Sequence, residues 1–155
     1  MSVATDSAFV PPDFQVPSEL TRGELTLVPL GPEHNERDYC AWTSSIDHIR
    51  QTPGFTDYPW PYPMSLNDNL NDLRQHAKDF RQRAGFTYTA IAGGELVGCV
   101  YIYPYKGKPG WASVRSWVRH DHAELDKVLY GMVCEWLKDE WPFKGVDYSP
   151  RGPRI

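Results

Sequence analysis

The sequence lacks several features that would assign it to a large class of proteins. Its 155 residues contain no run near the roughly 20 apolar residues that a membrane helix needs, and no basic segment followed by an apolar one at the start. Acidic residues outnumber basic ones, and the formal net charge of −4 argues against a general nucleic-acid binder. We therefore expect one cytoplasmic domain with no membrane or nucleic-acid partner.

Familiar catalytic and metal-binding motifs are also missing. The sequence has no glycine-rich phosphate loop, no G-x-S-x-G and no H-E-x-x-H. Cys40, Cys99 and Cys134 are odd in number and are not spaced as metal ligands, which predicts reduced, mostly buried thiols. His120 and His122 have no third ligand nearby, so we expect no metal site. Three further histidines fall on polar faces of predicted helices and are expected to face solvent: His34, His48 and His76.

Proline and aromatic residues are abundant and clustered. Residues 1–22 contain Pro11, Pro12 and Pro17 without a sustained period, which predicts an extended N-terminal arm before a single domain at 23–155. Residues 51–64 read QTPGFTDYPWPYPM, and their four prolines exclude a regular helix or a central strand. The rings of this loop must be buried against the core or around a ligand, and they belong to Phe55, Tyr58, Trp60 and Tyr62.

The hydrophobic periods predict a mixed α/β (α+β) chain. Ser65 is a good N-cap and Gly85 a candidate C′ residue for the longest helix, and Gly93-Gly94 signals a hairpin. The predicted elements are a strand at 25–30, helices at 32–42, 45–50 and 65–84, strands at 86–92, 95–104 and 111–118, a helix from 121 to 141 and a strand at 145–149. The three central strands should form an antiparallel meander.

This element order, with the wording FTYTAI…GGELVGCVYIYP followed by VRSWV, resembles the GCN5-related N-acetyltransferase (GNAT) superfamily of the actinobacterial type. The resemblance covers roughly Leu25 to Tyr148. It implies a mixed, mostly antiparallel central sheet with flanking helices, and acetyl-CoA as the cofactor. The phosphate loop is degenerate, because the family pattern Q/R-x-x-G-x-G/A is replaced by RHDHAELDKV at 119–128. The C-terminus is short, since the sequence stops seven residues after Tyr148 where the family usually continues with a helix and two strands.

The resemblance also implies where the cofactor would lie. In the family, the pantetheine arm pairs with a strand that diverges from its neighbour, and the pyrophosphate sits on the amides that open the next helix. Here the strand is 113–118 and the helix opens at 121–125. The candidate cofactor-binding residues are therefore Trp117, Val118, Arg119, His120, Ala123, Glu124 and Lys127.

Two residues are candidates for catalysis. Arg115 can grip a substrate carboxylate, or it can form a structural salt bridge. Tyr103 can act in a proton relay, or it can pack on a sheet face shared with Val97 and Cys99. The candidate substrate-binding residues, which form either a lid or a hydrophobic plug, are Phe55, Tyr58, Trp60, Tyr62, Tyr101 and Ser113.

Three functions fit these patterns. The first is an acyl-CoA-dependent N-acyltransferase that modifies a small-molecule or protein amine, which the strand-to-helix pattern favours. The second is a GNAT fold reused for CoA-independent catalysis or small-ligand binding, which the missing glycines and the aromatic loop favour. The third is a non-catalytic dimerising module, a homodimer whose partner covers an exposed sheet edge.

Overall fold

Within the described residues, six strands form one sheet in sequence order. The computed structural model describes residues 8–151, so the first part of the predicted arm and the last four residues lie outside it. All neighbouring strands are antiparallel except the last two, which are parallel. The strands are β1 (Leu20–Arg22), β2 (Leu25–Pro29), β3 (Phe86–Ala92), β4 (Glu95–Pro104), β5 (Trp111–Val118) and β6 (Gly145–Tyr148). The predicted mixed, mostly antiparallel sheet is confirmed.

In this part of the chain, four α-helices and two 3₁₀ turns flank the sheet. The turns, Pro32–His34 and His120–His122, precede the first and the last of these helices. The helices are α1 (Asn35–Thr43), α2 (Ile46–Arg50), α3 (Leu66–Arg81) and α4 (Leu125–Glu140). Among the described residues, none of these helices has the length and apolar character needed to cross a bilayer.

A hairpin and a β-bulge set the geometry of the meander. Gly93 and Gly94 have φ of 57° and 80°, the positive values that a tight hairpin turn requires. Ala90 pairs with Gly98, but Ile91 pairs with Leu96, so Val97 is an extra residue in β4. The bulge reverses the alternation, and Val97 packs into the core under α4. The prediction that Val97 shares a face with Cys99 was therefore wrong.

Both ends of α3 are defined by local contacts. The Ser65 hydroxyl accepts a hydrogen bond from the amide of Asp68 at 3.0 Å, as the cap predicts. The helix ends at Arg81, and the left-handed residue that follows is Arg83, with φ of 60°, rather than Gly85. Gly85 is needed for another reason, because a Cβ there would overlap the ring of Tyr103. The C′ prediction was wrong.

The two faces of the sheet bury separate cores. One core lies between the sheet and α4 and contains Leu129 and Trp136. The described part of the arm joins it, since Phe9 stacks on Phe86 with ring centroids 5.8 Å apart. The other core lies under α1 and α3 and is centred on Trp42, Phe55 and Trp117. The candidate site lies on this second face.

The last two strands diverge. Residues Trp111–Val114 of β5 pair with Gly145–Tyr148 of β6, and the pairing stops there. Within residues 8–151, β5 therefore has no strand neighbour on that side from Arg115 onward. The predicted divergence is present, and among the described residues no strand pairs with this edge of β5 beyond Val114.

Candidate functional site

A cavity of about 360 Å³ lies where α3, the proline-rich loop 51–64 and the surfaces of β4 and β5 meet. Its volume falls in the range of small-molecule sites. The two predicted catalytic residues, Tyr103 and Arg115, both line it. So do the predicted substrate-binding residues Phe55, Tyr58, Trp60, Tyr101 and Ser113. Tyr62 does not line the cavity, and its side chain is 49% exposed.

The proline-rich loop serves both as a core plug and as a cavity wall. Phe55 is 1% exposed, and the Trp60 ring contacts the buried rings of Trp42 and Trp117 at centroid distances of 5.2 and 6.1 Å. The same Trp60 and Phe55 also face the cavity. The two readings of this loop, plug and lid, are therefore not alternatives for these two rings.

Sequence reasoning missed the polar wall of the cavity. On α3, Asn69, Asp72, His76 and Asp79 repeat at helical spacing and all line the cavity. Leu70 on the same helix is only half-buried, whereas Asn69 is buried. The signal that could have found this wall is that same spacing, read for polar residues instead of apolar ones.

None of the three histidines predicted to face solvent is fully exposed: His48 is half-buried, and the other two are held by hydrogen bonds. His76 is half-buried at the cavity, with its Nδ1 3.1 Å from the Tyr103 hydroxyl and 3.2 Å from that of Thr87. His34 is 7% exposed, and its Nδ1 accepts a hydrogen bond from the amide of Gly31. The prediction rested on the polar faces of isolated helices. It failed because the elements that pack against a helix decide which of its polar residues are covered.

Asp38 lies deep in the cavity and is held by two hydrogen bonds. The Asn69 amide nitrogen donates to its Oδ2 at 3.1 Å, and the Cys99 thiol donates to its Oδ1 at 3.5 Å. The Trp42 indole N–H donates to Oδ1 of Asn69 at 3.0 Å and so fixes the Asn69 side chain. Desolvation by burial raises the pKa of Asp38 to about 6 and raises the pKa of the Cys99 thiol. Asp38 therefore exchanges its proton close to neutral pH, while Cys99 stays a thiol.

A second polar cluster lies at the other end of the cavity. The Tyr103 hydroxyl donates to Asp79 Oδ2 at 2.9 Å. Burial lowers the pKa of His76, an effect that the carboxylates of Asp72 and Asp79 partly oppose. Burial also raises the pKa of Tyr103 well above its usual value. Near pH 7 the imidazole is therefore neutral, and the phenol keeps its proton.

The residues predicted to hold the cofactor lie along the end of β5 and the start of α4. Trp117 and Val118 are fully buried, and the Trp117 indole N–H donates to the Tyr101 hydroxyl at 2.8 Å. Arg119 is paired with Glu95 and Asp121 at 3.0 and 2.7 Å. The remaining candidates are exposed: His120, Ala123, Glu124 and Lys127.

The side chain of Arg151 occupies the gap between the diverging strands. Its Nη2 donates to the Ser116 carbonyl at 2.6 Å, and its Nε donates to Asp126 Oδ2 at 2.7 Å. The Tyr148 and Ser116 hydroxyls, 2.6 Å apart, close the gap beside it. The Arg151 side chain is only 2% exposed. In the observed arrangement this guanidinium occupies the edge of β5 at Ser116, so a strand-like group has no access there. The carboxylates that follow β5, those of Asp121, Glu124 and Asp126, would also repel a diphosphate.

Comparison with known proteins relates the chain to acetyltransferases through its fold. No family model and no curated protein matches the sequence. Similar solved structures include the microcin C7 self-immunity acetyltransferase MccE in complex with acetyl-CoA and AMP, with a TM-score of 0.62, 13% identity and coverage of 80% of this chain and 67% of that one. A probable acetyltransferase has a TM-score of 0.66, 12% identity and coverage of 88% and 76%. The ribosomal-protein-S5-alanine acetyltransferase from Vibrio fischeri has a TM-score of 0.59, 9% identity and coverage of 77% and 66%.

The chain therefore has the fold of the GNAT acetyltransferases. It spans about two thirds of the length of MccE and of the Vibrio fischeri enzyme. At these identities the likeness concerns the fold, and the activity has to be argued from the site.

Proposed function

We propose that this chain is an N-acyltransferase that moves an acetyl or other acyl group from an acyl-CoA to the amine of a small molecule in the cavity. The observation that carries the proposal is the combination of carboxylates and aromatic rings in a cavity beside the point where β5 leaves β6. Arg115 belongs both to this cavity and to the first unpaired residues of β5. An amine in the cavity and an acyl-CoA paired with β5 would thus meet near Arg115.

The charge of the cavity supports an amine acceptor. Most aliphatic amines are ammonium ions near neutral pH, and Asp38, Asp72 and Asp79 attract such a cation. The faces of Trp60 and Tyr101 add a favourable cation–π environment. The amine must lose its proton before it attacks, and Asp38, with a pKa of about 6, and the neutral His76 are the candidate proton acceptors.

The donor half of the proposal is supported by the fold and by the acetyl-CoA in the MccE complex. A bound acyl-CoA would supply an activated thioester carbonyl. The unpaired backbone of residues 115–118 would hold its pantetheine arm, as the resemblance implies. The Arg151 side chain would first have to leave the gap, because its guanidinium already binds the Ser116 carbonyl.

A second candidate function is small-ligand binding or catalysis without CoA. The buried ion pair of Arg151 with Asp126 favours it, because this pair fills the donor position from within the chain. The cavity would then bind its cationic ligand unaided.

Acetyl-CoA binding separates the two candidates. If the chain uses acetyl-CoA, the ligand at 100 times its dissociation constant should stabilise the protein by about 2.7 kcal/mol in a thermal-shift measurement. Arg151→Gln should bind acetyl-CoA more tightly than the wild type, and the exposed Arg81→Gln is the matched control. If neither the wild type nor Arg151→Gln binds acetyl-CoA or CoA, and neither releases CoA with any amine, the acyltransferase proposal is wrong and the second candidate remains.

A further inference from the structure

The cavity contains a positive charge that the protein does not neutralise. The Nε of Arg115 donates to the Gly54 carbonyl at 2.8 Å, and its guanidinium carbon lies 3.9 Å from the centroid of the Tyr58 ring. Within residues 8–151, Arg115 forms no ion pair with a carboxylate, and its two terminal nitrogens have no hydrogen-bond acceptor. The structural salt bridge that the sequence allowed is therefore absent from the described part of the chain. These two nitrogens form the fork that binds a carboxylate through two parallel hydrogen bonds.

A carboxylate without a donor faces the same cavity. Asp38 accepts hydrogen bonds from Asn69 and Cys99, and Asp79 accepts them from Tyr103 and Gln75. Asp72 also lines the cavity and interacts electrostatically with His76, but within residues 8–151 its carboxylate accepts no hydrogen bond. Asp72 is thus the cavity carboxylate whose oxygens can accept hydrogen bonds from an ammonium ion.

Three aromatic rings lie in the same cavity as these two charged groups. Phe55, Trp60 and Tyr101 contact one another, with ring centroids 5.9 to 6.5 Å apart. Together they offer an apolar wall on which a flat, apolar group can pack. A ligand that uses the whole cavity therefore needs one positive charge, one negative charge and an apolar body.

We propose that the cavity binds the zwitterion of an α-amino acid with an aromatic side chain. The carboxylate pairs with the terminal nitrogens of Arg115, the ammonium group pairs with Asp72, and the side chain packs on the ring wall of Phe55, Trp60 and Tyr101. A simple amine would leave Arg115 unpaired next to a like charge, and a simple acid would meet the acidic wall. The inference rests on the proposed function only for the acylation of the bound amine, since binding itself needs no acyl-CoA.

Calorimetric titration without CoA tests the inference with three matched probes. L-phenylalanine carries both charges, phenethylamine lacks the carboxylate, and 3-phenylpropionate lacks the amine. We expect L-phenylalanine to bind at least about tenfold more tightly than either of the others, a ratio that corresponds to about 1.4 kcal/mol. Equal or tighter binding of phenethylamine, or no binding of any of the three, would overturn the proposal.

Variants assign each charge to its residue. Arg115→Gln should weaken the binding of L-phenylalanine at least about tenfold without weakening that of phenethylamine. Asp72→Asn should weaken the binding of L-phenylalanine without weakening that of 3-phenylpropionate. Arg115→Lys keeps the charge but not the fork, so its affinity for L-phenylalanine should lie between those of the wild type and Arg115→Gln. It replaces the glutamine variant in this test if that variant does not fold. The exposed Asp68→Asn on the same helix is the control. Equal weakening of all three probes by Arg115→Gln would contradict the assignment.

The test of amino-acid binding and the test of acyl transfer can give different results. A chain that binds L-phenylalanine selectively but transfers no acetyl group from acetyl-CoA refutes the transferase and supports the inference. A chain that acetylates phenethylamine but neither binds nor acetylates L-phenylalanine supports the transferase and overturns the inference.

Discussion

At the scale of single residues, the chemistry of the cavity depends on how its polar groups are held. Asp38 is 3% exposed, and burial raises its pKa to about 6, an effect that the hydrogen bonds from Asn69 and Cys99 to its two oxygens partly oppose. The same residue costs stability when it is charged, because burial disfavours the carboxylate. A group that is useful for proton exchange is therefore a local weakness of the fold.

This weakness predicts a pH-dependent effect of Asp38→Asn. The pKa of Asp38 rises from 3.8 to about 6 on folding, so the native state binds the proton more tightly than the unfolded chain does. The contribution of Asp38 to stability is then present below about pH 4 and is lost as the pH rises to about 6, a loss of up to about 3 kcal/mol for two pKa units. In urea unfolding, the free energy of unfolding of Asp38→Asn relative to the wild type should rise by up to that amount between about pH 4 and pH 7.

The exposed Asp139→Asn is the matched control, and its difference from the wild type should stay constant over the same interval. A constant difference for Asp38→Asn as well would show that the carboxyl group titrates at its ordinary pKa.

At the scale of elements, the position of β4 against β5 depends on a glycine next to the bulge. Gly98 pairs with Val118, and the bulge residue Val97 precedes it. A Cβ at position 98 would overlap the backbone carbonyl of Trp117. Because backbone cannot yield as a flexible side chain does, this close approach fixes how the floor of the cavity is aligned.

Two alanine substitutions test this requirement. Gly98→Ala should lower the free energy of unfolding by about 3 kcal/mol, because β4 and β5 must separate to admit the methyl group. Gly131→Ala in α4 has no atom within 4 Å of the added Cβ. It should raise stability by about 0.5–1 kcal/mol, since alanine favours the helix and restricts the unfolded chain. Thermal unfolding measures both, and an unchanged melting temperature for Gly98→Ala would contradict the close approach.

At the scale of the whole molecule, Arg151 ties the end of the described chain to β5 and α4. Its guanidinium binds Asp126, the Ser116 carbonyl and the Ser149 carbonyl. The other carboxylate oxygen of Asp126 is buried without a partner among the described residues. The ion pair therefore stabilises the diverging strands only while both partners are present.

Removing both partners of this ion pair should cost less than the sum of the two single removals. Arg151→Met should lower the free energy of unfolding by about 3 kcal/mol because it leaves a buried carboxylate unpaired. Arg151→Met combined with Asp126→Leu should cost less than the sum of the two single changes. The exposed pair of Arg22 and Glu140 is the control, and Arg22→Met should cost less than about 1 kcal/mol. Additive costs in urea unfolding would show that the pair is not coupled.

The expected homodimer concerns the whole molecule too, and it stays a prediction. β6 pairs with β5 on one side, and no described strand pairs with its other side. Size-exclusion chromatography with light scattering measures the state directly, and a monomer at high concentration would argue against a dimerising module.

The sequence by itself determined the elements whose signal is local. The period of two places β3, β4 and β5 at the residues where they are found, and Gly93-Gly94 marks their first turn, because strand alternation and positive φ are properties of neighbouring residues. Only the tertiary structure decided the site. Asp38, His76 and Arg115 come from three separate elements, and Arg151 reaches back to Ser116, because burial and charge pairing depend on which elements pack together.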